Sequence, residues 1–324
     1  MGIIARQSIK GTIVTYMGVA VGFLTTFFVL TRFLSAEEIG LARVLVDASS
    51  LFIGLAQLGT NTSIIRFYPY FKDADTRDHG FFFYTLVVPL FGFLLFALVY
   101  WACHIPLGNW FGDKSPLFMD YYYMVLPLAF FMLYQTIFET NANVLMRIVV
   151  PRAVRELVVR IGMLALYLLY AFRILSMDGF VIGLCLNYAI AAFINLAYLF
   201  AVGHISLRPD WTFLRNNPSL VRNYLLYTGF LFISALAGVL APTLSSFFIT
   251  AKMGLDSTGV YAIATYIAVI ISIPYRSVTA IASPQLAHAI KEHNREVQYR
   301  LDFPPPAQRQ HVCCREECSV DSRY

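Results

Sequence analysis

The sequence predicts an all-α fold: a polytopic transmembrane helix bundle of about eight spans. Composition is the first observation, with 58% hydrophobic residues, only 13% charged and a mean hydropathy of +0.65 over 324 residues. A soluble domain carries about 25% charged residues, so this chain lacks the polar side chains to cover a surface in water. The second is that the apolar residues lie in blocks of about 20, the length that crosses a hydrocarbon core as a helix. The third is that Lys and Arg favour alternate connections between those blocks.

Spans are expected at 11–34, 40–65, 80–103, 117–140, 155–175, 179–203, 223–250 and 258–287. The first is too long for the apolar core of a signal peptide, and seven more follow it. Fourteen cations fall on one set of alternating connections, among them Arg6, Lys10, Arg66, Arg147, Arg152, Arg155, Arg160, Arg222 and Arg295. Five fall on the other set: Arg32, Arg43, Lys114, Arg173 and Lys252. Cytoplasmic loops retain positive charge, so the N-terminus is expected in the cytoplasm, and an even number of spans returns residues 288–298 to the same side. The longest connection, about Gly203 to Arg222, has room for a surface helix and little more. Function is therefore expected inside the bundle.

Residues 299–324 depart from this pattern, with Pro304-Pro305-Pro306, mixed charges and no apolar run. Such a segment cannot bury enough surface to fold alone. Cys313, Cys314 and Cys318 lie there with His311, but their spacing matches no standard zinc pattern, so no metal is expected. No Gly-rich phosphate loop, HExxH or GxSxG motif occurs, so neither a catalytic residue nor a cofactor is expected. Nothing resembles a nucleic-acid module.

Charged side chains inside spans are costly and mark function by default. Arg276 follows Ser272-Ile273-Pro274-Tyr275 in the middle of the eighth apolar block, too deep for easy snorkelling. Its alternative is a structural pairing with a carboxylate such as Asp47 or Glu139. Arg32 and Arg43 flank the loop after the first span, as cavity-mouth residues or as interfacial anchors. Asp47 stands one turn beyond Arg43, placed either to pair with it or to couple transport to an ion. Glu139, Asn141 and Asn143 near the end of the fourth span are candidates for sugar hydroxyls or an ion, and equally for a solvated cluster at headgroup level. Asn61, Asn187 and Asn195 suit hydrogen bonds between helices, and Asn61 is kept as a polar cavity candidate. Pro127, Pro242 and Pro274 are expected to kink their spans, and Tyr121-Tyr122-Tyr123 to form an interfacial belt.

Two segments match at an offset of 219 residues, pairing Phe28 with Phe247, Thr31 with Thr250, Glu37 with Asp256 and Gly40 with Gly259. Each is the end of a span, a short acidic loop, and a Gly opening the next span. The offset equals six spans, as expected for repeated halves in the same orientation.

Gly11 through Leu34 followed by Ser35-Ala36-Glu37-Glu38-Ile39-Gly40-Leu41 resembles the start of polysaccharide-export flippases. These are the O-antigen and capsule translocases of the multidrug/oligosaccharidyl-lipid/polysaccharide exporter superfamily. Leu58-Gly59-Thr60-Asn61 with Ile65-Arg66-Phe67-Tyr68, and Ser283-Pro284-Gln285-Leu286-Ala287, are similar to theirs too, so the resemblance covers about residues 1–298. It implies roughly twelve to fourteen helices in two six-helix lobes around a central cavity. Residues 1–205 then form the N-terminal lobe, 206–298 an incomplete C-terminal lobe of two helices, and 299–324 a disordered or out-of-frame tail of a truncated chain. The implied activity is flipping of an undecaprenyl-diphosphate-linked oligosaccharide across the bacterial inner membrane, without enzymatic chemistry. Its expected partners are that substrate, membrane lipid and glycan assembly machinery. A cationic cavity is implied with it, and Arg276 matches an Arg that some members carry on the eighth helix. The alternatives are a membrane-embedded glycan polymerase or ligase, and a multidrug-type exporter of the same superfamily. Outer loops too short for a catalytic domain argue against the first, and Arg276 would repel the cationic cargo of the second.

Overall fold

The computed structural model describes residues 3–71, 79–111, 114–145, 147–202, 209–211, 215 and 217–269. Residues Met1–Tyr266 form one compact unit, and a second, Ile267–Tyr324, lies almost wholly outside the described residues. Every described element is helical. Helix α1 spans Ile3–Leu24 and continues through a π-helical stretch, Thr25–Leu30, and a last α turn, Thr31–Phe33. Then come α2 (Ala36–Ala56), α3 (Thr60–Phe71), α4 (Phe81–Ala102) and the short α5 (His104–Phe111) and α6 (Pro116–Asp120). Helix α7 is Val125–Val144, α8 is Val159–Ala171, α9 is Met177–Val202, α10 is Pro218–Met253, and α11 covers 255–269. Helix α8 is entered through Val149–Ala153 and a second π-helical stretch, Val154–Val158.

The described parts of all eight expected spans meet helix, the eighth only over 258–269, and among the described residues four helices are long and apolar enough to cross a membrane: Lys10–Phe33, Ala36–Ala56, Phe81–Ala102 and Met177–Val202. The chain is a multi-pass, all-α membrane protein. Helix α7 is more polar, carrying Gln135, Glu139, Asn141 and Asn143, while the fifth span is divided by its π turn. The burial of each helix sets its place. The α2 stretch is 67% buried and packs on α4, α7 and α10, whereas the α1 and α4 stretches are 22% buried and turn most of their apolar surface outward. Helix α9 packs along α7 and α8, and α1 lies against 149–171.

The expected second span, 40–65, is broken. Helix α2 stops at Gln57, and Leu58 and Gly59 take positive φ of 49° and 76° before α3 begins. A glycine adopts that conformation freely, while leucine does so at a cost of about 1 kcal/mol. Helix α4 covers the break through Gly92, where a Cβ would stand 2.2 Å from the Ala56 carbonyl oxygen. Helix α2 starts on a capping box: Ser35 Oγ accepts from the Glu38 N–H at 3.3 Å, and Glu38 Oε2 accepts from the Ser35 N–H at 2.8 Å.

Pro127 lies in the first turn of α7, directly after the 3-10 turn Tyr122–Met124 that separates α7 from α6. One local expectation changes. Tyr122 is fully buried rather than in an interfacial belt: it stacks on Tyr100 with centroids 4.2 Å apart, and each hydroxyl donates to the other's carbonyl. Its neighbours stay at the surface, Tyr123 beside His104 and Tyr121 donating to Asp178 at 2.6 Å.

The matched segments of the internal repeat meet in space. A Cβ on Gly40 would stand 2.0 Å from the Leu255 carbonyl oxygen, and one on Gly259 would stand 2.0 Å from that of Ala36. Adding 219 to 36 and 40 gives 255 and 259, so the two contacts are the same contact exchanged between the repeats. That reciprocity is the mark of an isologous, two-fold interface. Thr250 lies beside it, fully buried, with Oγ1 on the Ser246 carbonyl at 2.7 Å, as its repeat partner Thr31 bonds to Phe27 at 2.7 Å.

Candidate functional site

A cavity of about 500 Å³ opens among α1, α7, α8 and α9, with Tyr266 of α11 on its rim. Its walls are polar for an apolar bundle: Thr25, Thr26, Gln135, Thr136, Arg155, Glu156, Arg160, Tyr167 and Tyr188 all line it.

Both π-helical stretches border this cavity, one giving Thr25 and Thr26, the other Arg155 and Glu156. Threonine disposes a helix to such irregularity by bonding back to its own ladder. Thr25 Oγ1 donates to the Val21 carbonyl at 2.8 Å. A π turn shifts the regular pairing of N–H and C=O, and such turns favour functional sites.

The charges form a chain of alternating sign. Arg155 Nη1 meets Glu139 Oε1 at 2.9 Å and its Nη2 meets Glu156 Oε1 at 3.4 Å, while Glu156 Oε2 accepts from Arg160 Nη2 at 2.8 Å. Arg160 Nη1 then donates to the Gly18 carbonyl of α1 at 3.1 Å. An unpaired charge at this depth is strongly destabilising, so each carboxylate needs its guanidinium. Exposure of the two signs differs. The Glu139 and Glu156 side chains are 9% and 10% exposed, against 48% and 34% for Arg155 and Arg160. The acids are the buried members of the chain and the cations the more exposed ones; Arg155, Glu156 and Arg160 line the cavity, and Glu139 does not. Beside them, Gln135 is buried and its Nε2 has no hydrogen-bond partner among the described residues.

Glycines in α1 make the approach possible. A Cβ on Gly22 would stand 2.4 Å from the Tyr266 hydroxyl and 2.8 Å from Arg160 Nη1, and one on Gly18 would stand 2.5 Å from the Glu156 carbonyl oxygen. Gly11 faces Arg152 in the same way. Small residues along one face let two transmembrane helices close up.

Of the residues singled out from sequence, Glu139 enters this network. Arg43 binds Asp47 at 2.7 Å within α2, and neither lines the cavity. Arg32 is exposed in the last turn of α1. Asn61 donates to Gln57 Oε1 at 2.9 Å across the break between α2 and α3. Asn187 bonds the Val159 carbonyl at 3.0 Å, whereas Asn195 is fully buried without a side-chain partner among the described residues. Arg276, Pro274 and the tail cysteines lie outside the described residues.

Sequence reasoning missed Arg155 and Arg160, which it counted with the loop charges. Two signals pointed to them: Glu156 stands four residues before Arg160, and Gly11, Gly18 and Gly22 repeat along one face of α1.

Compared with protein-family models, the chain matches the one described as "Polysaccharide biosynthesis protein" over residues 8–287. Comparison with curated proteins gives no match, and comparison with solved structures gives none.

Proposed function

Because the chain belongs to the polysaccharide biosynthesis protein family, we propose that it flips an undecaprenyl-diphosphate-linked oligosaccharide from the cytoplasmic to the outer leaflet of a bacterial inner membrane. The observation that carries this reading is the pair of guanidinium groups on the cavity wall, Arg155 and Arg160, which are 48% and 34% exposed while the carboxylates that pair with them, Glu139 and Glu156, are 9% and 10% exposed. A diphosphate is dianionic, and guanidinium groups bind phosphate oxygens through paired hydrogen bonds. Hydroxyl and amide groups from Thr25, Thr136 and Gln135 suit the first sugar. The polyprenyl tail stays in lipid, and the driving force is an ion gradient or the membrane potential.

In this reading residues 1–205 are the first lobe and 206–298 begin the second, consistent with the Gly40/Gly259 contact between repeats. The excess of cations on alternate connections favours a cytoplasmic N-terminus. Arg32 and Arg43, outside the lining of this cavity, and Arg276, outside the described residues, are kept as further headgroup candidates, and Asp47, paired with Arg43, and Asn61, bonded to Gln57, as coupling or polar candidates.

Arg160→Ala and Arg276→Ala, made separately in cells that depend on this protein for surface glycan, are each expected to cut export at least tenfold, with Arg→Lys retaining part of it. Surface glycan at the wild-type level in Arg160→Ala cells, with the variant present in the membrane, would remove the headgroup role from this cavity.

A further inference from the structure

A second pocket, of about 430 Å³, lies where the Phe71 end of α3 meets the start of α10. The two helices run antiparallel here. Ser63 and Thr228 hydroxyls bond at 2.7 Å at the deep end, and Phe67 packs on Tyr224 and Tyr227 nearer the mouth. Arg66 and Asn223 each stand five residues from their helix end, so both lie at one level. That is about 7.5 Å from the helix ends at 1.5 Å per residue, and both residues stand at the edge of the expected spans 40–65 and 223–250, near headgroup depth.

The Arg66 guanidinium sits 4.2 Å from the centre of the Tyr227 ring, and no carboxylate partners it among the described residues. The ring holds the cation without neutralising it. Deeper along α10, Leu226 and Phe230 stand one turn apart on one face, 63% and 72% exposed. A guanidinium with no carboxylate partner among the described residues, at headgroup level above an apolar face, complements an anionic amphiphile. We propose that this groove binds an anionic phospholipid of the bilayer, its phosphodiester on Arg66 and Asn223 and its acyl chains along Leu226 and Phe230. Among the described residues the groove is lined by a single guanidinium, which suits a monoanionic phosphodiester, whereas both guanidiniums of the larger cavity are already paired with carboxylates. The assignment stands independently of the flipping reading.

Native mass spectrometry of the full chain in detergent, with phosphatidylglycerol or phosphatidylcholine added at equal concentration, tests it. Wild type is expected to retain phosphatidylglycerol and little phosphatidylcholine. Arg66→Gln is expected to lower phosphatidylglycerol retention about tenfold, and Arg66→Lys less than that. Equal retention of the two lipids by wild type, or undiminished phosphatidylglycerol on Arg66→Gln, would overturn the proposal. So would displacement of phosphatidylglycerol by equimolar undecaprenyl diphosphate, which assigns the groove to the cargo, or by glycerol 3-phosphate, which removes the acyl chains from it. If Arg66→Gln does not yield monodisperse protein, Asn223→Asp, which sets a carboxylate beside the phosphate, is expected to give the same fall.

Discussion

Replacing Gly40 with alanine is expected to lower the melting temperature of the purified protein by about 5 °C or more, and Gly259→Ala to do the same. The added methyl would have to occupy a point 2.0 Å from the Leu255 or Ala36 carbonyl oxygen. The obstacle is backbone in both cases, so no side-chain rotation relieves it, and the helix ends must separate. Overpacking of this kind costs about 1–3 kcal/mol. The two substitutions open the same seam, so the double variant is expected to lose less than the sum of the singles. Gly229 is the control, because a Cβ there would meet nothing within 4 Å. Thermal unfolding followed by size-exclusion fluorescence is the measurement. Wild-type melting of Gly40→Ala together with Gly259→Ala would mean that the repeats do not meet there.

The second large effect belongs to the ion-pair chain. Arg155→Ala leaves Glu139 without its 2.9 Å partner in an apolar bundle. Stripping one partner from a buried pair costs about 3–5 kcal/mol, but Arg155 is half exposed, so about 2 kcal/mol is the better expectation. Glu139→Gln in the same background removes the stranded charge and is expected to recover part of the loss. A double-mutant cycle on thermal stability reads this directly. If Arg155→Ala and Arg155→Ala/Glu139→Gln melt together, with both well below wild type, a stranded Glu139 charge is not what destabilises the variant.

The bundle is legible in sequence because lipid imposes length and apolarity on each span. What bends or interrupts a helix is less so. The break at Leu58-Gly59 lies inside an apolar run, and only one of its two residues is a glycine. The π turns are barely marked in composition: Thr25 bonds back to its own ladder in Thr25–Leu30, but Val154–Val158 holds no Ser or Thr that could do the same. Glu139 stood out as an acid within a span. Arg155 and Arg160 did not, because a charge count treats an Arg in a connection and one a turn or two inside the helix alike. The seam between repeats was half legible: matched glycines gave the positions, but that Gly40 and Gly259 lie on each other's repeat took coordinates. Arg276, the sharpest candidate from sequence, lies outside the described residues, and export by Arg276→Ala cells decides its role.

The two π turns bear on how this chain can change in length. A π turn holds an extra residue within an otherwise α-helical ladder. Losing one residue there lets the flanking α segments rejoin in their present registers. The same deletion elsewhere in α1 or α8 would rotate every later side chain by about 100°, turning the Gly11–Gly18–Gly22 face or the Arg155–Arg160 face away from its partner. Thr25–Leu30 and Val154–Val158 are therefore the places in these helices where a single-residue deletion is absorbed. Both border the cavity, so a deletion at either would reshape the cavity wall while leaving the bundle intact.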